Sequence, residues 1–162
     1  MSHLRVSLIE QWSPLIPEGQ ADMVVGLEPI ETLRVMATYG NPGTLVVTNV
    51  RPILPLDVIA GNATYPEVND VLKALSRLSK KVWTINATEI ALEMGNPILA
   101  NMIMIGAIAS LELSGLEIDR KMFSDMLAFI LSPREAQVNL DAFERGRTSI
   151  KTLTFESGNQ LQ

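Results

Sequence analysis

Three residues of this chain are of the right type to hold a small ligand: Arg51, Asn49 and Asn101. A guanidinium at the end of a strand can grip a phosphate or a carboxylate through two parallel hydrogen bonds. The same Arg51 can instead pair with a neighbouring carboxylate and order the loop Pro52–Pro55. Asn49 can aim its amide at a ligand or satisfy the backbone of the turn it starts. Asn101 interrupts an apolar run. A buried amide without a partner would cost ~1–3 kcal/mol, so Asn101 either bonds a neighbouring backbone group or reaches a cofactor or another subunit. Glu28 and Glu31, at i and i+3, share a helix face as an acid/base couple would. Carboxylates in the first turn of a helix also suit its dipole without doing chemistry. Asn86 and Thr88 follow a β-rich run, and Asn86 reads as a helix cap.

Composition narrows the chemistry. The chain has no cysteine, so disulfides, thiolate metal sites, iron–sulfur ligation and a cysteine nucleophile are excluded within it. A Ser-His-Asp triad or a histidine metal cluster would rest on one residue, His3, the single histidine. No nucleophile stands with a base and no phosphate-cradling glycine loop is present, so neither a self-contained active site nor a metal site is expected. Thirteen Lys+Arg against eighteen Asp+Glu give a net charge of -5, the opposite of the basic excess of nucleic-acid binders. With 162 residues, 47% of them hydrophobic and 19% charged, the chain is a globular domain able to bury a core. Its first residues lack the long apolar run of a signal peptide. The stretch Met102–Ala109 is far short of the roughly 20 apolar residues that cross a bilayer. A cytoplasmic protein with no membrane partner is expected.

The elements that must position these residues alternate between β-like and helical runs, which points to an α/β domain. Leu4–Leu8 alternates apolar and polar residues and reads as a strand near a sheet edge. Met23–Leu27, Thr44–Val50 and Val82–Ile85 are apolar or β-branched strands. Helices are marked by their caps. Glu28-Pro29 opens one that runs to about Tyr39. Tyr65-Pro66-Glu67 opens a second, with Val68, Val71, Leu72, Leu75 and Leu78 on one face. Asn86 caps a third that ends at Gly95, a natural C′ residue. Pro97 to Leu111 is the most apolar helix, and Gly106, Ala107, Ala109 and Ser110 let another element approach it closely. Asp119 starts another, and Ser132-Pro133-Arg134-Glu135 caps the last. Met102, Met104, Met122 and Met126 read as core filling, with a subunit interface as the alternative. One domain is expected over residues 1–151, with a polar tail over 152–162.

Four segments carry a resemblance. They are Ser13-Pro14-Leu15-Ile16-Pro17-Glu18-Gly19-Gln20-Ala21-Asp22 with Gly26-Leu27-Glu28-Pro29-Ile30-Glu31; Thr48-Asn49-Val50-Arg51-Pro52-Ile53-Leu54-Pro55; Tyr65-Pro66; and Ala91-Leu92-Glu93-Met94-Gly95-Asn96-Pro97 with Asn101 and Gly106. In this order and spacing they resemble the gamma domain of the 2-oxoacid:ferredoxin oxidoreductases (the pyruvate/ketoisovalerate gamma family). Within that family they are most similar to the indolepyruvate:ferredoxin oxidoreductase beta subunits. The resemblance covers residues 2–131. It implies a three-layer α/β/α fold with a mostly parallel sheet. The family's opening strand and its Gly-x-Gly-Gly-Gln-Gly turn, a phosphate cradle, are missing from this chain, as is an Arg-Gly-Gly element. Relative to the family the sheet is therefore expected to be incomplete at its N-terminus.

The resemblance also implies a function. The chain would be a non-catalytic subunit of a complex that decarboxylates a 2-oxoacid oxidatively, indolepyruvate among the candidates, to an acyl-CoA, with two electrons passing to ferredoxin. Thiamine diphosphate and iron–sulfur clusters carry such chemistry. They would sit in other subunits, which fits a chain without cysteine, and no cofactor would be bound by this chain alone. Asn49, Arg51 and Asn101 would face the coenzyme A or thiamine region. Two other classes stay open: a stand-alone α/β module binding a nucleotide or coenzyme A, and a structural fragment without activity.

Overall fold

The computed structural model describes residues 1–7, 13–111, 113 and 118–154. Among these, three parallel strands, β1 (Met23–Gly26), β2 (Leu45–Asn49) and β3 (Lys81–Ile85), lie side by side in chain order. A two-residue strand, β4 (Lys151–Thr152), adds antiparallel to β3. Helix α1 (Pro29–Tyr39) joins β1 to β2, and α3 (Val68–Leu78) leads into β3 after the single turn α2 (Leu56–Ile59). Beyond β3 come α4 (Ala87–Glu93), a 3-10 turn (Pro97–Leu99), α5 (Ala100–Ala109), α6 (Arg120–Ile130) and α7 (Pro133–Ser149).

Alternation along the strands sorts two cores. Val24, Val46 and Val82 project to one face and bury Met36 of α1 with Leu72 and Leu75 of α3. Val47 and Ile85 project to the other and meet Ala87 and Ala91 of α4, Ile103, Met104 and Ala107 of α5, and Ala142 of α7. The expected three-layer α/β/α arrangement is therefore present. A third cluster, with Phe123 and Phe143 stacked at 4.1 Å, fastens α6 to α7.

Small residues decide how α5 meets α7. A Cβ on Gly106 would lie 1.9 Å from the Phe143 carbonyl oxygen, and one on Gly146 would lie 1.9 Å from that of Ile103. The two helices therefore cross backbone to backbone, each offering a glycine to the other. The close approach expected at Gly106 and Ala107 is made here.

The caps are in place. Glu28, Asn86, Asn96 and Asp119 accept backbone N–H groups at the starts of their helices, and Ser132 with Glu135 forms a complete capping box. Gly95 takes a left-handed φ of +79° just past α4. Some expectations need correction. Leu4–Ser7 is no strand; Leu8 lies outside the described residues. The Arg5 guanidinium donates to the Ser13 and Leu15 carbonyls, so this segment is tied to a loop and leaves Leu4 and Val6 exposed. The helix after Pro66 starts at Val68, because Glu67 takes the cap position. Met122 and Met126 lie on the outer face of α6 with Phe129, which is 90% exposed, so they do not fill the core. The expected boundary of the tail falls within β4, and Leu153 N–H still donates to the Val82 carbonyl.

The α5–α7 crossing gives a test. In an open helix, Gly→Ala would gain up to about 1 kcal/mol in propensity. Here the methyl meets backbone, and overpacking costs about 1–3 kcal/mol. Gly106→Ala and Gly146→Ala should each lower stability, by about 2–4 °C in Tm per kcal/mol for a domain of this size. Thermal unfolding checks it; an unchanged or raised Tm would show that the crossing is looser than described.

Candidate functional site

In open α/β sheets ligands bind beyond the carboxyl ends of the parallel strands. Here the sequence brings Asn49, the last residue of β2, to that end, with Glu28, Arg51 and Thr88 two or three residues past β1, β2 and β3.

Glu28 is buried at 6% exposure and caps α1: its carboxylate accepts the Glu31 N–H at 2.8 Å and the hydroxyl of Tyr65. That carboxylate occupies the positive end of the helix dipole, where a phosphate would otherwise sit. Glu31 points elsewhere and pairs with Arg34. The two carboxylates thus do separate structural jobs and form no acid/base couple. Gly26 is obligatory beside them, because a Cβ there would come within 1.6 Å of Thr32 Oγ1. Thr32 in turn bonds the Glu28 carbonyl at 2.6 Å and shares a hydrogen bond with Thr48 at 2.9 Å.

Asn49 is 1% exposed and joins all three strand ends. Its Nδ2 donates to the Leu27 carbonyl at 3.0 Å, after β1, and to Thr88 Oγ1 at 2.8 Å, after β3. The Leu27 carbonyl fixes which way the amide faces, since a flipped amide would set oxygen against oxygen. Oδ1 is left buried with no protein partner. Two residues on, Arg51 donates to Glu89 Oε2 at 2.9 Å, with both side chains about half exposed. An exposed pair of this kind contributes ~0–1 kcal/mol. The guanidinium is therefore held in place but easily released.

Asn101 is exposed on the first turn of α5, so it is not a core amide, and no hydrogen bond joins it to Asn49 or Arg51. The break it makes in the apolar run falls on the side of the helix that faces outward. Asn86 caps α4 through the Glu89 N–H. His3 accepts the Ile16 N–H and sets its ring edge against Tyr39 at 5.0 Å, a fastening of the N-terminal segment. Among the described residues, a cavity of about 390 Å³ lies beside this N-terminal segment and another of about 210 Å³ between α6 and α7. Neither is lined by Asn49, Arg51 or Asn101.

What sequence reasoning missed is the role of Tyr65, which it reads only as part of a helix opening and of the resemblance. The residue stands 37 positions from Glu28, and no local pattern signals that the two meet. Its bond closes the long excursion between β2 and α3 back onto the strand ends. Burial first, and then the hydrogen bond to Glu28, hold its phenol well above the ordinary 10.0. A raised folded-state value means that the unfolded chain releases this proton first as pH climbs. The contribution is therefore whole below about pH 10 and is lost in stronger alkali. Tyr65→Phe should cost ~1–3 kcal/mol by stripping a donor from a buried carboxylate. It should also remove the late-titrating phenol from an absorbance titration. A wild-type titration in which both tyrosines ionise together would contradict this clamp.

Comparison with known proteins agrees with the architecture. Residues 1–149 match the family described as pyruvate ferredoxin/flavodoxin oxidoreductase. The chain is 32% identical over 143 residues to the indolepyruvate oxidoreductase subunit IorB of Thermococcus kodakarensis, covering 88% of this chain and 69% of that protein. It is 40% identical over 104 residues to the Archaeoglobus fulgidus subunit of the same name, covering 64% of this chain and 50% of that one. Among solved structures, the pyruvate oxidoreductase subunit PORC of Thermotoga maritima superimposes with a TM-score of 0.53 at 16% identity, over 81% of this chain and 64% of that one. The keto/oxoacid ferredoxin oxidoreductase gamma subunit of Geobacter sulfurreducens gives 0.51 at 16%, over 80% and 63%. The chain thus spans about half to two thirds of the length of these relatives, and the solved structures speak for the fold. By the match over residues 1–149 and its 32% identity to a relative over most of its own length, the chain belongs to the pyruvate ferredoxin/flavodoxin oxidoreductase family.

Proposed function

We propose that this chain is a non-catalytic subunit of a cytoplasmic 2-oxoacid:ferredoxin oxidoreductase, with indolepyruvate as the 2-oxoacid. The observation that carries the reading is the 32% identity, over 88% of the chain, to an indolepyruvate oxidoreductase subunit. The complex would cleave the bond between the carboxylate and the carbonyl carbon, release CO2, join the acyl group to coenzyme A and pass two electrons to ferredoxin. Thiamine diphosphate and iron–sulfur clusters supply that chemistry. A chain without cysteine offers no thiolate for the clusters, so other subunits would hold them. Residues 1–151 are read as one gamma-type domain of that assembly.

What this chain would add is surface and positioning. The end of α1 is filled by its own Glu28 carboxylate, which argues against a phosphate there and favours the neighbouring exit of β2. Arg51 is the exposed cation at that exit and could exchange Glu89 for a phosphate of coenzyme A. Asn49 would keep the three strand ends in register beneath it, and Asn101, exposed on α5, would meet a neighbouring subunit.

Co-expression with a candidate thiamine-binding subunit tests the reading. Capture of this chain should bring down a complex that reduces a viologen dye anaerobically with indolepyruvate and coenzyme A. A folded chain that captures nothing removes the subunit reading and moves the weight to a stand-alone module. In the active complex, Arg51→Ala should raise KM for coenzyme A by roughly ten- to a hundredfold with kcat little changed, the loss of one charge-assisted hydrogen bond of about 1.5–3 kcal/mol. An unchanged KM removes Arg51 from the site.

A further inference from the structure

The basic residues of this acidic chain are not spread evenly. Arg77, Lys80 and Lys81 fall within residues 77–86, and Arg145, Arg147 and Lys151 within 145–154. These are six of its thirteen Lys+Arg, and neither stretch contains an Asp or a Glu. The fold sets the two stretches side by side. Lys151 lies opposite Thr84 and Thr152 opposite Trp83 in the β3–β4 ladder, and the Leu153 N–H continues it to the Val82 carbonyl at 2.9 Å.

Partners from outside these stretches neutralise only two of the six. Arg145 pairs with Glu93 and Arg147 with Glu144. Arg77, Lys80, Lys81 and Lys151 are exposed and make no ion pair among the described residues. The carboxylate on the same rim of the sheet, Asp22 at the start of β1, stands two strands from Lys80, or about 10 Å. The dipole of α3 accounts for Arg77 in its last turn. It does not account for Lys81 and Lys151, which stand on strands. Lys81 is also steadied, with its ammonium 4.6 Å from the centre of the Trp83 ring.

We propose that the β3–β4 edge is a docking surface for an acidic face of another subunit of the complex, an inference that rests on the subunit reading above. Complementary charge speeds encounter and fixes orientation. The edge strand is two residues long and carries a lysine, features that discourage pairing by strand addition. Lys151, level with Thr84, and Lys81, beside Trp83, project to opposite faces of this edge, so the partner straddles the edge and meets side chains, not the backbone of β4.

The test uses the full chain and two arms. In the first, the chain alone is passed over immobilised poly-glutamate. Despite its net charge it should be retained at low salt and released as salt rises. Lys80→Glu/Lys81→Glu/Lys151→Glu should weaken retention more than about tenfold, while Lys121→Glu/Arg134→Glu, which reverses charge on α6 and α7, should not. No retention, equal loss in both variants, or tighter binding to duplex DNA than to poly-glutamate would overturn the proposal. In the second arm the triple variant is co-expressed with the thiamine-binding subunit. If wild type assembles and the variant assembles equally well at all salt concentrations, the docking surface is wrong and the subunit reading stands. If wild type itself fails to assemble, the subunit reading fails, and the first arm then reports on the charge cluster alone. Circular dichroism of each variant confirms that it is folded.

Discussion

The layer over one face of the sheet depends on two helices touching backbone to backbone. Gly106 and Gly146 each vacate the space that the other helix's carbonyl occupies. With side chains there, α5 and α7 would stand farther apart at the interaxial distances of ordinary helix pairs, about 8–10 Å. Several features follow from the closer approach. Ile103, Met104 and Ala107 reach Val47 and Ile85 on the sheet, and Ala142 closes the same cluster from α7. The course of α7 then delivers Ile150 and Lys151 to the edge of β3, so the short fourth strand is a consequence of the crossing. Phe143, on the flank of the α7 face that meets α5, holds α6 through its stack on Phe123.

A second constraint operates at the strand ends. Polar groups buried there must find partners, because each unsatisfied one costs ~1–3 kcal/mol. The chain meets the constraint mostly from within. Glu28 satisfies α1 and Tyr65, Thr32 satisfies Glu28 and Thr48, and Asn49 ties Leu27 to Thr88. A crevice filled in this way is a poor place for chemistry and a rigid place from which to present one exposed group. Arg51 is that group.

Much of this was legible in the sequence because it is local. Pro29 after Glu28, the Asn86 cap, Gly95 and the Ser132–Glu135 box are settled within a few residues of chain, and the structure has them all. The small residues near Gly106 announced a close neighbour, although nothing in the sequence said that the neighbour would be Gly146. The readings that failed turn on partners distant in the chain. Alternation in Leu4–Ser7 looks like a strand, but a strand needs a sheet edge, and Arg5 commits the segment to Ser13 and Leu15 instead. Asn101 and the pair Met122 and Met126 were read against runs of apolar residues whose buried side cannot be told from composition. Tyr65 stands out in the sequence only as part of a helix opening and of the resemblance; its bond to Glu28 cannot be read there, since it exists only once residues 28 and 65 are adjacent.

Among the described residues, the apolar arc of α6 is wider than α7 covers. Phe123 and Leu127 are buried against α7, while Met122, Met126, Phe129 and Ile130 continue the same arc into solvent. An amphipathic helix that packs on one neighbour needs a stripe of about 100°, and at 3.6 residues per turn this one, from Phe129 round to Leu127, spans roughly 160°. Methionine suits such a surface because it adapts to the shape it meets. Two surfaces among the described residues are thus of opposite kinds: an apolar one on α6, which can supply area, and a basic one on the β3–β4 edge, which can supply orientation. Area without orientation favours indiscriminate association, and charge without area gives weak, salt-sensitive encounters. A subunit held in one position within a larger assembly needs both, and in this chain they stand on elements that the Gly106–Gly146 crossing holds together.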